Sequence, residues 1–342
     1  MLLNPWSIAL LVCSAATILL GARVVATALR VIRFWDPGAD TARQIRLENE
    51  TWLSAMLVQY VLILQIISLV LLVLAADSFS RILVGAMCAT GAFLANDFGI
   101  PALAVKIAGL FLYGFWILLH RLDLRAEESP LTRLKFYYLL FLAPYLLADV
   151  ILLTAYLAGL QPDIITSCCG VIFGGASGDG RNLVGPLPAA QLMGLYYGFA
   201  ALLFFGGRRQ LTEQRSPSTF RHLARSIGLA GGWLLFFLLS LLVITAVISS
   251  YIYGMPSHRC PFDILLWEYR GVGYPIYFLL FAATFAGMSA GAIAPVALLP
   301  DLTSAVAAYR GRAGQLSLLL LVLFLIVITW YPAMYLVYGG QW

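Results

Sequence analysis

The chain reads as an all-α, polytopic integral membrane bundle of about eight transmembrane helices with both termini extracytoplasmic, and three observations predict this. Hydrophobic residues make up 62% of the 342 residues, charged residues only 11%, and the mean hydropathy is +0.91. A water-soluble domain covers its surface with roughly a quarter charged residues, so the solvent of this chain is lipid. Long apolar runs recur along the chain, each near the length that crosses about 30 Å of hydrocarbon at 1.5 Å per residue. The basic residues gather in alternate connections. Alternating ten-residue strands are absent, which leaves a helical bundle as the spanning solution.

The runs follow in order, as one membrane domain over residues 1–342. Trp6–Leu29 opens the series; it lacks a basic leader and a small-residue cleavage site, so it reads as a retained helix. The stretch Arg30–Trp52 reads as a polar connection along the headgroups, and its sequon Asn49-Glu-Thr51 falls on the cytoplasmic side, where it is not glycosylated. Leu53–Ala75 carries Gln59 and Gln65, Pro101–Leu119 carries Lys106, and Phe136–Leu157 carries Pro144 and Asp149. Ala189–Phe205, with Gln191, is the shortest, and Ile227–Tyr251 follows. Tyr274–Leu298 has small residues at Gly287 and Gly291, the spacing of a helix-packing face. Leu316–Tyr338 closes the series.

Charge orients the bundle. Most of the 21 Lys and Arg fall in the connections after the first, third, fifth and seventh runs: Arg23 to Arg46, Arg121 to Lys135, Arg208 to Arg225, and Arg310 with Arg312. The other connections and their flanks hold Arg81, Lys106, Arg181, Arg259 and Arg270. The positive-inside rule then places both termini outside, as in a bacterial inner (plasma) membrane with the sparsely charged loops on the periplasmic side. No basic stripe interleaved with aromatics occurs, so nucleic acid is not an expected partner. His120 and His222 fall in the basic connections, where a solvated or snorkelling role suffices.

Cys13 lies inside the first run and reads as a small apolar side chain. The other four cysteines fall in the three outer loops, 76–100, 158–188 and 252–273, as Cys88, Cys168, Cys169 and Cys260. In each loop a thiol precedes a Gly/Pro turn that opens the next helix, where proline is tolerated. Apolar stretches such as "RILVGAM" and "FDILLWEY" read as short helices capping the bundle.

Three chemistries suit this face. Two structural disulfides would tie Cys168 and Cys169 separately to Cys88 and Cys260, since adjacent cysteines rarely bond to each other. This suits a non-catalytic subunit of a larger complex or transporter. A soft metal, Cu(I) above all or Zn(II), would take Cys88, Cys168, Cys169, His258 and Cys260 as ligands, with Asp263 orienting the histidine and Met87 and Met255 nearby. Metal handling, or transfer of the ion to a membrane or extracytoplasmic partner protein, is the leading expectation. Thiol–disulfide exchange is the third, with Cys260, Cys168, Cys169 and Cys88 as redox thiols; Arg259 and protonated His258 would lower the Cys260 thiol pKa.

The stretch "CATGAFLANDFGIPALAVKIAGL" resembles the vitamin K epoxide reductase family, in which an outer cysteine loop also leads through a G-x-P turn into a helix. The resemblance spans one loop and one helix and lacks that family's C-x-x-C. It implies a membrane thiol–disulfide oxidoreductase working with a quinone. Within the runs, Asp149, Lys106 and Gln65 stand out, because an ionisable group at membrane depth is expensive. A buried Asp149–Lys106 pair is the expected arrangement, and no ladder of intramembrane acids suggests a proton pump.

Overall fold

The computed structural model describes residues 1–35, 41–86, 88–126, 129–162, 188–213, 220–255 and 258–338. Among these every regular element is helical. The long helices are α1 (Pro5–Phe34), α2 (Ala42–Ser80), α4 (Gly99–Asp123), α5 (Thr132–Gly159), α6 (Ala189–Glu213), α7 (Phe220–Val243), α9 (Gly273–Ala292) and α10 (Thr303–Tyr338). Of two short helices, α3 (Ala89–Phe93) lies in the connection between α2 and α4, and α8 (Ser249–Tyr253) continues the span begun by α7. A π-helical turn at Ile244–Ile248 joins α7 to α8, and a 3₁₀ segment, Ala294–Leu298, extends α9. Among the described residues, eight helical stretches are long and apolar enough to cross a membrane. Their outward faces carry exposed Leu19, Phe141, Leu202, Phe205 and Phe278, as a lipid-facing surface requires.

The helices overrun the apolar segments read from sequence. Arg30–Trp52 is mostly helix: α1 continues to Phe34 and α2 begins at Ala42, capped by Thr41, whose hydroxyl accepts the Gln44 N–H at 3.3 Å. Likewise α10 starts at Thr303, well before Leu316. Hydropathy marks only the part of a helix that sits in hydrocarbon, whereas the backbone satisfies itself equally well in the headgroups and beyond.

The chain divides into two compact units, Met1–Thr166 and Ser167–Trp342, each with four long helices among the described residues. In the first, α1 packs on α2 and α5, and α4 packs on α2 and α5. In the second, α6 packs on α7 and α10, and α9 packs on α7 and α10. The two four-helix rings therefore share one order of neighbours. Each third span also starts at a glycine pressed against a carbonyl of the preceding short helical segment. A Cβ on Gly99 would overlap the Phe93 carbonyl, and one on Gly273 would crowd that of Ile264.

Their interiors differ. The first unit packs Val24, Val31, Val58, Trp116, Phe136 and Leu142 around its basic-loop half. The second is aromatic: Phe236 stacks on Tyr196 at 5.4 Å and meets Trp233 and Phe324 edge-on at 6.2 and 6.1 Å. The small-residue face of α9 is a packing face, since Gly287 lies under the Trp233 indole and Gly291 against the Ser226 carbonyl. With lipid outside, such contacts stabilise through dispersion and close approach rather than through transfer from water.

Candidate functional site

The connection from α8 to α9 is built from the end of α8 onward. Gly254, in the left-handed conformation, ends that helix, and the chain passes through His258, Arg259 and Cys260 without regular structure. A 3₁₀ turn then follows at Asp263–Leu265 and another at Trp267–Tyr269. "FDILLWEY" thus folds as the short helices its apolar pattern predicts.

Within this loop one carboxylate gathers two other side chains. The Cys260 thiol donates to Asp263 Oδ1 at 3.1 Å, and His258 Nε2 lies 2.8 Å from Asp263 Oδ2. Cys260 is fully buried and Asp263 nearly so, while the His258 side chain keeps about a quarter of its surface open. The backbone is held from beneath by tyrosines. Tyr253 donates its hydroxyl to the Cys260 carbonyl, and Tyr277, one turn into α9, donates to the Pro261 carbonyl at 2.5 Å. The Tyr253 ring also meets His258 edge-on at 4.5 Å and Tyr269 at 4.6 Å. Burial first, and then the Asp263 charge, push the Tyr269 phenol above its ordinary value, so it stays protonated beside the carboxylate.

These tyrosines carry no sequence signal of their own. Aromatic residues at a helix end read as interface anchors, and only the fold shows that they grip the cysteine-bearing backbone. Of the remaining residues singled out by sequence, Met255 is half exposed, and its carbonyl accepts the His258 N–H at 3.3 Å. Met87, Cys168 and Cys169 lie outside the described residues.

Cys88 belongs to the first unit. It is buried and stands at the N-cap of α3, whose five residues are all buried. The helix in this loop is thus "ATGAF", while "RILVGAM", described except for Met87, forms turns. Asn96 organises the rest: it accepts the Phe98 N–H at 3.1 Å and donates to the Tyr156 carbonyl at 2.9 Å. Tyr156 returns a hydrogen bond to the Ala92 carbonyl at 3.1 Å.

The intramembrane polar residues form a compact cluster. Lys106 Nζ lies 3.1 Å from Asp149 Oδ2, and Gln65 donates to the same oxygen at 3.0 Å. All three are buried, which makes the expected ion pair a triad. Asp149 Oδ1, Ser68 Oγ and Tyr113 Oη are buried without a hydrogen-bond partner among the described residues.

His120 is not a solvated loop residue. It is buried at the end of α4, stacked on Trp116 with centroids 5.5 Å apart, and 3.4 Å from Lys135 Nζ. Lys135 in turn lies 2.5 Å from Asp123 Oδ2, and Asp123 also accepts from Leu131 N–H at 2.7 Å and the Thr132 hydroxyl at 2.9 Å. This knot clamps the turn between α4 and α5. Hydropathy places these residues at a boundary, and only packing draws them inside. No family model, curated protein or solved structure matches the chain.

Proposed function

We propose that this is a multi-pass membrane protein whose extracytoplasmic cysteine and histidine loops handle a soft metal, Cu(I) above all, or pass it to a partner protein. The observation that carries the reading is the convergence of Cys260 and His258 on Asp263 in a loop fixed by Tyr253 and Tyr277. A thiol and an imidazole are soft and borderline donors that suit Cu(I) or Zn(II). With Nε2 held toward Asp263, His258 would offer Nδ1 to a metal, and the carboxylate would fix the tautomer, as outer partners of metal-bound histidines do. Binding would release the Cys260 proton, because the thiolate is the ligand. Cys88, Cys168 and Cys169 complete the proposed donor set. The count of basic residues supports placing both termini and these loops on the outer side of a bacterial-type inner membrane.

Metal analysis of the purified full chain after exposure to Cu(I) or Zn(II) tests this. Bound metal lost in Cys260→Ser and weakened about 10- to 100-fold in Asp263→Asn is the expected result. A chain that retains no copper or zinc above a detergent blank would sink it.

A second reading is favoured by the hydrogen-bonded thiol itself. The chain Cys260–Asp263–His258 offers a path for the thiol proton in thiol–disulfide exchange, in which Cys260 would form a disulfide with Cys88, Cys168 or Cys169 while a quinone takes the two electrons and two protons to become a quinol. Its signature is Cys260-dependent reduction of a soluble quinone by a dithiol, with no metal bound.

A further inference from the structure

The second unit contains a cavity of about 370 Å³ between α6 and α7, at the end that carries the basic connections. Its walls divide in two. One part is apolar, with Phe199, Leu202, Leu203 and Leu229, and Leu202 is largely exposed on the lipid-facing surface. The other is polar and cationic, with Arg209, Arg225, His222, Gln210 and Ser226. His222 Nε2 is buried there without a hydrogen-bond partner among the described residues.

The floor has a positive charge behind it. Ser226, almost wholly buried, accepts from Gln210 Nε2 at 3.2 Å and from the guanidinium of Arg310 at 2.7 Å. Arg310 is itself buried, and its second partner is the Ala290 carbonyl at 3.0 Å. Among the described residues no carboxylate lies within ion-pair distance of it. An arginine does not discharge by losing its proton, so a buried guanidinium held only by neutral acceptors leaves a positive potential. That potential falls on a cavity already rimmed by two further arginines.

We infer that this cavity is a binding site for an anionic phospholipid, its phosphodiester seated among Arg209, Arg225 and His222 and its first acyl segment along Phe199, Leu202 and Leu229. Basic pockets between transmembrane helices take acidic headgroups in this way, and guanidinium groups match phosphate oxygens bidentately. The apolar wall selects a lipid over a free anion, because inorganic phosphate would leave it unfilled. The volume suits a headgroup with the start of one chain rather than a whole lipid.

The test uses the full chain, stripped of lipid in a neutral detergent, with three probes: phosphatidylglycerol, phosphatidylcholine and inorganic phosphate. Retention is read by native mass spectrometry and stabilisation by the unfolding midpoint. Phosphatidylglycerol should be retained and should raise the midpoint, while the other two do neither. Arg209→Gln and Arg225→Gln should each weaken retention about fivefold. Gly228→Phe should abolish it without unfolding the chain, since a Cβ at Gly228 meets open space. Equal retention of phosphatidylcholine, equal stabilisation by inorganic phosphate, or phosphatidylglycerol retention unchanged in Gly228→Phe would each overturn the site.

Discussion

The fourth span of each unit buries a cation near its basic-loop end, and the two units treat it in opposite ways. In the first, Lys135 on α5 meets the Asp123 carboxylate at 2.5 Å, and the turn wraps that acid with an N–H and a hydroxyl. In the second, the partners of Arg310 on α10 among the described residues are a serine hydroxyl and a backbone carbonyl. The same contrast runs deeper into the rings. The first unit places Gln65, Lys106 and Asp149 at membrane depth, whereas the second fills its interior with Tyr196, Trp233, Phe236 and Phe324. A shared order of helix neighbours therefore does not dictate how charge is handled. One ring pairs its buried cations with carboxylates, and the other holds a buried cation on neutral acceptors.

The largest test of this comparison is Asp123→Ala, which removes the internal acid and leaves Lys135 in the position of Arg310. An uncompensated buried charge costs about 3–5 kcal/mol, so the unfolding midpoint in detergent should fall strongly. Adding Lys135→Met should recover most of the loss. If the single substitution is silent, the claim that the first unit depends on internal neutralisation fails.

Phe236→Ala probes the aromatic ring. With lipid as solvent the transfer contribution is small, and a void of about 100 Å³ at about 24 cal/mol per Å³ costs about 2 kcal/mol. Tryptophan fluorescence should report it, because Trp233 lies edge-on to the lost ring. An unchanged emission and midpoint would show that this interior is not held by ring packing. The smallest effect is expected from Gln65→Leu, which deletes one donor to Asp149 while keeping the Lys106 pair. Hydrogen bonds between membrane helices contribute about 1 kcal/mol, so a modest shift of the unfolding midpoint should result. A loss as large as that of Asp123→Ala would mean that Gln65, and not the ion pair, organises the triad.

Much of this architecture is legible in sequence because hydrocarbon is an unforgiving solvent. All eight apolar runs appear as helices, and the glycines of "FAATFAGMSAGAIAPVALLP" pack as their spacing implies. The Lys106–Asp149 pair was equally readable, since two unlike charges at membrane depth have few alternatives to each other. Helix ends were less so: α2 begins at Ala42 rather than Leu53, because polar residues continue a helix once it leaves the bilayer. Lys135, His120 and Arg310 read as loop charges or solvated residues, yet all three are buried.

The sequence by itself therefore determined the class of the protein, its eight apolar spans and the thiol-bearing character of its sparsely charged loops. These follow from composition and period, which act locally along the chain. Tertiary structure alone decided that Asp263 gathers His258 and Cys260, that Tyr253 and Tyr277 hold their backbone, and that Arg310 lies buried behind a cationic cavity. Each depends on side chains brought together from separate turns and helices, and hydropathy carries no information about which neutral or charged neighbour a buried group will meet.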